Sequence, residues 1–275
     1  MADTEPRLSM KVVMGRRLRV AEWRPELAES GAVPLLMFNG IGINLELMAP
    51  IAQDLAERPV VLFDMPGIGK SPDPVVPYTP VTMAMTANAL LDRLGFGEVD
   101  VLGISWGGGI AQQFALQHRS RINRLVLAAT SAGMTMAPGD LRTVKRLLDP
   151  REYTLPRTLE RNLAMMFNGG GTGPAVSLNA VTPPSPVGWL YQLGAVMGWT
   201  SVPMLPLLDV PTLIMAGAQD QVVPPINAQF LHGLIRGSRL KTFSGGGHLF
   251  MLSQREKFVN ELRAFLDEEK VGLAA

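Results

Sequence analysis

The stretch Gly103-Ile104-Ser105-Trp106-Gly107 does more than any other to decide the fold of this 275-residue chain. An apolar run, Val99 to Ile104, leads into it, and a helical pattern, Ile110 to Gln117, follows. A G-x-S-x-G sequence between a strand and a helix is typical of a sharp turn that holds a serine, in a strained backbone conformation, above the edge of a sheet. Both flanking positions are glycine because a Cβ there would collide with the crossing strand and helix. The pattern predicts that Ser105 is a nucleophile at a helix N-terminus, where developing negative charge is stabilised.

Apolar strand-like segments alternate with helical ones on both sides of this stretch. Such alternation indicates an α/β fold in which helices cover both faces of a mostly parallel sheet, here of eight strands, and the first two segments around Gly15 predict an antiparallel start. The predicted strands are Ser9–Val13, Arg17–Trp23, Pro34–Phe38, Val60–Phe63, Val99–Gly103, Leu125–Ala129, Thr212–Ala216 and Leu240–Phe243. The predicted helices are Asn44–Glu57, Pro80–Leu94, Ile110–Gln117, Ile226–Ile235 and Gln254–Glu268.

The alternation stops between the predicted strands that end at Ala129 and begin at Thr212, which leaves 82 residues between them. A crossover connection needs only a dozen or so. We therefore predict a cap inserted at residues 134–208, with a core formed by residues 1–133 and 209–275.

The cap contains a long uncharged segment. From Asn162 to Leu208, 47 consecutive residues include no charged side chain and no histidine. One interpretation is an ordinary buried interface between cap and core. The other, which we favour, is a lid whose inner face binds an apolar, uncharged substrate, because a segment of this size is too long to be buried throughout. Its large side chains are the candidate substrate contacts: Phe167, Trp189, Tyr191 and Trp199.

A serine hydroxyl needs an adjacent base, and the base needs an acid that orients it. The chain order expected after such a turn is nucleophile, acid, histidine. His248 follows three glycines after the last predicted strand and fits this order, whereas His118 and His232 lie at the end of one helical run and inside another. Asp220 is the only carboxylate in the loop after the strand at Thr212, while Asp209 precedes that strand and so lies at the opposite edge of the sheet.

Two backbone N–H groups are predicted to form an oxyanion hole. One is that of Trp106, which follows the nucleophile, and the second comes from the loop Asn39-Gly40-Ile41-Gly42, with Ile41 as the donor. Loss of one such donor typically costs about 2.7–4 kcal/mol of transition-state stabilisation.

Composition excludes several other classes of function. The chain has no cysteine, which removes disulfides and thiolate chemistry, and its net charge of +1 offers no attraction to nucleic acid. No cluster of residues has metal-ligand spacing, and the glycines near Gly67 and Gly40 do not complete a phosphate or dinucleotide motif, so we expect no metal and no cofactor. The polar N-terminus and the prolines in the most apolar stretch argue against a signal peptide and a transmembrane helix, and we expect a cytoplasmic protein.

Several segments together resemble one enzyme family, the intracellular medium-chain-length poly(3-hydroxyalkanoate) depolymerases of bacteria, which have the α/β-hydrolase fold. The similarity spans roughly residues 35 to 265. It implies that Ser105, Asp220 and His248 form a catalytic triad, that the substrate is a polyester of 3-hydroxy acids, and that the protein associates with polymer granules. The segments are Phe38–Gly42, Asn44–Glu46, Phe63-Asp64, Pro66-Gly67, Gly103–Gly108, Ala111–Ala115, Leu125–Thr130, Gly198–Ser201 and Gly247–Phe250.

Other functions stay open on the sequence alone. A small-molecule esterase, a lactonase or a carbon–carbon bond hydrolase would use the same three residues. A different class is a non-catalytic, granule-binding protein, against which the intact triad argues. Self-association is compatible with the near-zero net charge and the apolar cap.

Overall fold

The computed structural model describes residues 5–149, 166–167 and 182–268, and it places eight strands in one sheet. The spatial order is β1-β2-β4-β3-β5-β6-β7-β8. Strands β1, β2 and β4 pair antiparallel, and every pairing from β4 onwards along the sheet is parallel. The strands are β1 (Arg7–Val13), β2 (Arg16–Trp23), β3 (Leu35–Phe38), β4 (Val60–Phe63), β5 (Val99–Ile104), β6 (Ile122–Ala128), β7 (Thr212–Gly217) and β8 (Arg239–Phe243).

Helices pack on both faces of the sheet, as predicted. Alternate residues of each central strand point to opposite faces, so Val99 and Val101 join the cluster under α2 and α3, while Leu102 and Ile104 join the cluster under α1, α7 and α8. The helices are α1 (Leu45–Asp54), α2 (Pro80–Leu94), α3 (Trp106–Gln117), α4 (Leu141–Leu148), α5 (Pro186–Met197), α6 (Ile226–Leu234), α7 (Phe250–Ser253) and α8 (Arg255–Leu266).

Most boundaries lie within two residues of the sequence prediction, and three differ by more: α1 ends at Asp54 rather than Glu57, and α3 and β6 begin earlier than predicted. Helix α3 begins at Trp106 rather than Ile110, although glycine is a poor helix former and occupies positions 107 to 109. Close approach explains these glycines, because an added Cβ at Gly108 would lie 2.3 Å from the hydroxyl of Thr130 and one at Gly109 would lie 3.0 Å from the ring of Trp199. Strand β6 begins at Ile122, three residues before the predicted start.

The described part of the interval between β6 and β7 holds α4, α5 and a 3-10 helix (Val202–Leu207). Helix α4 was not predicted, and Asp140 caps it by accepting hydrogen bonds from the N–H groups of Arg142 and Thr143. Helix α5 falls in the predicted cap, whose limits at residues 134 and 208 stay a prediction. None of the helices in the described ranges combines the length and apolar composition that crossing a membrane requires.

Candidate active site

Ser105 lies in the sharp turn between β5 and α3. Its backbone has φ 53° and ψ −122°, a conformation that residues with a Cβ rarely adopt. Hydrogen bonds hold it there: its N–H donates to the carbonyl of Ala128 at 2.9 Å, and its carbonyl accepts from the Thr130 hydroxyl at 2.7 Å and from the Gly108 N–H at 2.9 Å. Because the backbone is fixed on both sides, the direction of the serine side chain is fixed as well.

The glycines that flank this turn are required by close packing. A Cβ on Gly103 would lie 2.5 Å from the Cβ of Ala111, and one on Gly107 would lie 2.2 Å from the carbonyl oxygen of Phe38. Both distances are too short for any carbon–carbon or carbon–oxygen contact. The crossing of strand and helix therefore demands glycine at both positions, as the motif predicts.

His248 and Asp220 lie in line with the serine hydroxyl. Oγ of Ser105 is 2.9 Å from Nε2 of His248, and Nδ1 of the same ring is 2.7 Å from Oδ2 of Asp220. An ionised carboxylate only accepts, so the Nδ1 position carries the proton and Nε2 is left to accept from the serine. The other carboxylate oxygen, Oδ1, accepts from the N–H groups of Val222 and Val223, each at 2.8 Å.

The loops that carry the acid and the histidine pack directly on each other. An added Cβ on Gly217, the last residue of β7, would lie 2.3 Å from the carbonyl oxygen of Gly247. The Gln219 N–H donates to the Gly246 carbonyl at 2.8 Å, and the Ala218 N–H donates to the Phe243 carbonyl at 3.0 Å. Small residues thus let the two loops approach so closely that their side chains meet. Both Asp220 and His248 are buried.

The predicted oxyanion loop lies beside the serine. A Cβ on Gly40 would stand 3.4 Å from the Cβ of Ser105, and the next residue, Ile41, lines the same cavity as Ser105 and Trp106. Trp106 is the first residue of α3, so its N–H belongs to the helix-terminal groups that have no acceptor within the helix. The structure thus places both predicted donor residues next to the serine.

A cavity of about 230 Å³ opens next to the serine hydroxyl. No charged residue is among the described residues that line it, which come from the core loops, the first turns of α2 and α3, α4, α5 and the segment after α5. Trp189 and Trp199, two of the four predicted cap contacts, form part of this lining. Phe167 and Tyr191 are not among the described lining residues: Phe167 is buried in the hydrophobic core, and Tyr191 packs against the core from the other side of α5.

The residues rejected from the sequence lie away from this cavity. His118 ends α3, where its ring packs on Phe114 at 5.1 Å between centroids and burial lowers its pKa. His232 lies within α6, with Nδ1 2.9 Å from the Ser238 hydroxyl. Asp209 is exposed and precedes β7. Across the described ranges, no group of three or more His, Asp and Glu side chains is arranged to hold a metal ion.

A second buried carboxylate, that of Asp64, joins the start of α1 to the turn that follows β4. Asp64 follows β4, and its side chain accepts from the N–H of Leu45 at 2.8 Å, where α1 begins, and from the N–H of Lys70 at 3.0 Å. Arg19 approaches it to 3.4 Å. Burial nevertheless outweighs these contacts and raises the pKa of Asp64 to about 6.

Two buried glutamines near the serine were missed from the sequence. Gln192 accepts from the Gly42 N–H at 2.7 Å, and Gln113 accepts from the Trp199 indole N–H at 2.7 Å. Gln192 is the only amide side chain in α5, and an isolated amide in so apolar a helix was the available signal.

Comparison with known proteins agrees with this geometry. A family model described as the alpha/beta hydrolase fold matches residues 33–254. The chain belongs to the α/β-hydrolase family. This hydrolase is 38% identical, over 86% of its own length and 85% of the relative's, to a poly(3-hydroxyalkanoate) depolymerase of Ectopseudomonas oleovorans. It is 29% identical, over 93% of its length and 95% of the relative's, to a 2-hydroxymuconate semialdehyde hydrolase of Pseudomonas putida.

Among solved structures, the hydrolase is similar to an esterase from Exiguobacterium antarcticum. The TM-score is 0.82 at 27% identity, and the match covers 94% of this chain and 99% of the other. These findings confirm the predicted fold class and the predicted enzyme class, a carboxylic ester hydrolase that resembles the depolymerases.

Proposed function

We propose that this hydrolase cleaves the ester bonds of poly(3-hydroxyalkanoate) or its oligomers through a Ser105–His248–Asp220 triad and an acyl-enzyme. The observation that carries the proposal is the unbroken chain of contacts from Oγ of Ser105 to the Asp220 carboxylate, at 2.9 and 2.7 Å, beside a cavity whose described lining residues carry no charge. The similarity to the Ectopseudomonas oleovorans depolymerase supports the choice of polymer.

In the first step, His248 takes the proton of the Ser105 hydroxyl while the oxygen attacks the ester carbonyl. Asp220 stabilises the imidazolium that forms and keeps the ring in the tautomer that attack requires. The two N–H groups that donate to Asp220 satisfy its second oxygen and hold the carboxylate in a fixed orientation toward the ring.

The negative charge that develops on the carbonyl oxygen is stabilised by the backbone N–H groups of Ile41 and Trp106. His248 then gives its proton to the departing 3-hydroxyl group, and the acyl group stays on Ser105. In the second step a water molecule, deprotonated by His248, attacks this acyl-enzyme and releases a 3-hydroxy acid or a shortened chain. As the ester bond to Ser105 breaks, His248 gives the proton taken from water to the serine Oγ, which restores the free hydroxyl and the neutral ring.

The cavity suits a neutral substrate rich in alkyl groups. Its described lining holds no charge, so an aliphatic polyester enters without desolvating an ion on either side. Trp189 and Trp199 are proposed to contact the alkyl side chains, because both line the cavity. The product carries a new carboxylate, which an uncharged cavity solvates poorly, and this favours its release.

A small-ester esterase is the second candidate, and the similarity to the Exiguobacterium antarcticum esterase favours it. The two functions share the triad and differ in whether a polymer chain is accepted. An enzyme that hydrolyses soluble nitrophenyl esters but releases no acid from the polymer would be an esterase of this second kind.

The test compares the wild-type enzyme with Ser105→Ala and with a control, Ser244→Ala, in which an exposed serine outside the cavity is changed. We expect wild type and the control to release 3-hydroxy acids from poly(3-hydroxyoctanoate) and to bind a fluorophosphonate covalently. Ser105→Ala should do neither while it keeps the circular dichroism spectrum of the folded protein. Release of acid by folded Ser105→Ala at a rate near that of wild type would refute the assignment.

A further inference from the structure

A single buried side chain joins the cap helix to the oxyanion loop. Gln192 lies in the middle of α5 and has no exposed surface. Its Oε1 accepts a hydrogen bond from the Gly42 N–H at 2.7 Å, across 150 positions of sequence. Its backbone carbonyl accepts from the indole Nε1–H of Trp106 at 3.2 Å. Gln192 therefore contacts the residue that follows one proposed oxyanion donor, Ile41, and the side chain of the other, Trp106.

Contacts toward both ends of α5 fix the position of this glutamine. At the N-terminal end, the Ser185 N–H donates to the Gly67 carbonyl at 3.0 Å, and an added Cβ on Gly188 would lie 2.2 Å from the same carbonyl oxygen. Just beyond the C-terminal end, Thr200 pairs with Gly133 in an isolated β-bridge. Because contacts near both ends hold α5 against the core, the position of Gln192 relative to Gly42 is fixed.

The hydrogen bond to Gly42 also defines the orientation of the Gln192 amide. A backbone N–H can only donate, so the bond to Gly42 requires the oxygen of the amide and defines which way it is turned. The other end of the amide, Nε2, is buried and has no hydrogen-bond partner among the described residues. Burying an N–H group without an acceptor is unfavourable. An aliphatic side chain of the same size would avoid that cost, but it could not accept the hydrogen bond from the Gly42 N–H.

The hydrogen bond acts on the oxyanion hole through the peptide planes of the loop. The peptide groups that carry the N–H of Ile41 and the N–H of Gly42 are both planar and meet at the Cα of Ile41. Fixing the Gly42 plane therefore restricts the Ile41 plane. Gly42 has φ 68°, in the left-handed region that only glycine enters freely. A glycine offers little resistance to rotation of the backbone, so this residue does not by itself fix the position of the loop. One backbone hydrogen bond, from the Ile43 N–H to the Gly40 carbonyl at 3.2 Å, closes this turn, and the glutamine adds a second restraint directly at Gly42.

We infer that Gln192 is a positioning residue that orients the oxyanion loop and makes the hole complete only while α5 is docked on the core. The inference rests on the proposed function, since it assigns Gln192 to the oxyanion hole of that reaction. Gln192 touches no reacting atom; it acts through Gly42. A misplacement of about 1 Å in such a group can cost on the order of 100-fold in rate.

The experiment compares Gln192→Met, which keeps the length of the side chain and removes its acceptor, with Gln113→Met as a matched control. Gln113 is also a buried glutamine whose oxygen accepts one hydrogen bond from outside its own helix, that of the Trp199 indole, and it has no bond to the oxyanion loop. For a soluble nitrophenyl ester, we expect Gln192→Met to lower kcat about 10- to 100-fold with KM within about threefold, the pattern of an interaction made in the transition state. Gln113→Met removes the acceptor of the Trp199 indole, a proposed substrate contact, so its effect should fall on KM, with kcat within about twofold of the wild type.

The rate of hydrogen exchange at the Gly42 amide reports on its hydrogen bond to Gln192 independently of catalysis. We expect exchange to become about tenfold faster or more in Gln192→Met and to stay unchanged in Gln113→Met. Unchanged exchange at Gly42, an equal fall of kcat in both variants, or a change confined to KM in Gln192→Met would overturn the inference. Gln192→Ala provides the same comparison if the methionine variant does not fold. If the wild-type enzyme hydrolysed no ester, the proposed function would fail by itself, and the Gly42 exchange rate would still show whether Gln192 holds the loop.

Discussion

The strain at Ser105 predicts that glycine at this position gives a more stable protein than alanine does. The perturbation is the pair Ser105→Ala and Ser105→Gly. Both lose the hydroxyl and its hydrogen bond to His248, so they differ only in the Cβ. Alanine keeps the cost of φ 53° and ψ −122°, which for a non-glycine residue is about 1–3 kcal/mol. Glycine removes that cost.

The greater freedom of glycine in the unfolded chain works in the opposite direction, by about 0.5–1 kcal/mol. At the middle of both ranges, the difference leaves Ser105→Gly more stable than Ser105→Ala by roughly 1 kcal/mol. At about 2.1 cal/mol/K of unfolding entropy per residue, Ser105→Gly of this 275-residue chain then melts roughly 2 °C higher than Ser105→Ala.

The assay is differential scanning calorimetry of the two variants, with the pair wild type and Ala111→Gly as control. Ala111 is in the regular part of α3, so the same loss of a Cβ should there lower the stability by about 1–2 kcal/mol. The opposite signs at the two positions separate backbone strain from the general effect of glycine. A Tm for Ser105→Gly at or below that of Ser105→Ala would refute the reasoning.

Three further predictions follow from named contacts. Gly107→Ala should lower the unfolding free energy by more than about 3 kcal/mol in urea titrations, because its Cβ would lie 2.2 Å from a carbonyl oxygen. The control Gly97→Ala should change it by less than about 0.5 kcal/mol, because no atom lies within 4 Å of the added Cβ. Similar values for the two variants would contradict this account of the packing. Asp220→Asn should lower kcat for a nitrophenyl ester by about 10³- to 10⁴-fold, because the amide no longer holds His248 in the required tautomer, and a loss below tenfold would contradict the role of the acid. The pKa of Asp64, raised to about 6, means that the native state binds more protons than the unfolded state between about pH 4 and pH 6, so this group makes stability fall by about 2–3 kcal/mol as the pH rises through that window. Burial raises the pKa of Asp100 to about 6 as well, so Asp64→Asn should keep part of the fall and lose the contribution of Asp64 when the two proteins are compared by urea unfolding; equal slopes would rule this out.

The sequence by itself determined the frame of the fold and the candidates for its chemistry. The G-x-S-x-G turn, the alternation of strands and helices and the order serine, aspartate, histidine predicted the sheet and the three residues that the structure brings into line. These features are local: a turn that excludes a Cβ needs glycine, and a strand buried on both faces needs an unbroken apolar run. Parallel strands then bring their carboxyl ends to one edge, so loops distant in sequence are predicted to meet.

The tertiary structure alone decided which cap residues face the serine. Trp189 and Tyr191 are two positions apart on α5, and only the packing of the helix puts the first in the cavity lining. The bond between Gln192 and Gly42 spans 150 positions, and no local pattern encodes such a contact. Hydrophobic periodicity indicates which face of a helix is buried, but it does not indicate which part of the protein covers that face. The hydrophobic effect depends on the apolar area removed from water and not on the identity of the partner. A hydrogen bond between a cap and a core depends on their relative position, and that position exists only in the folded chain.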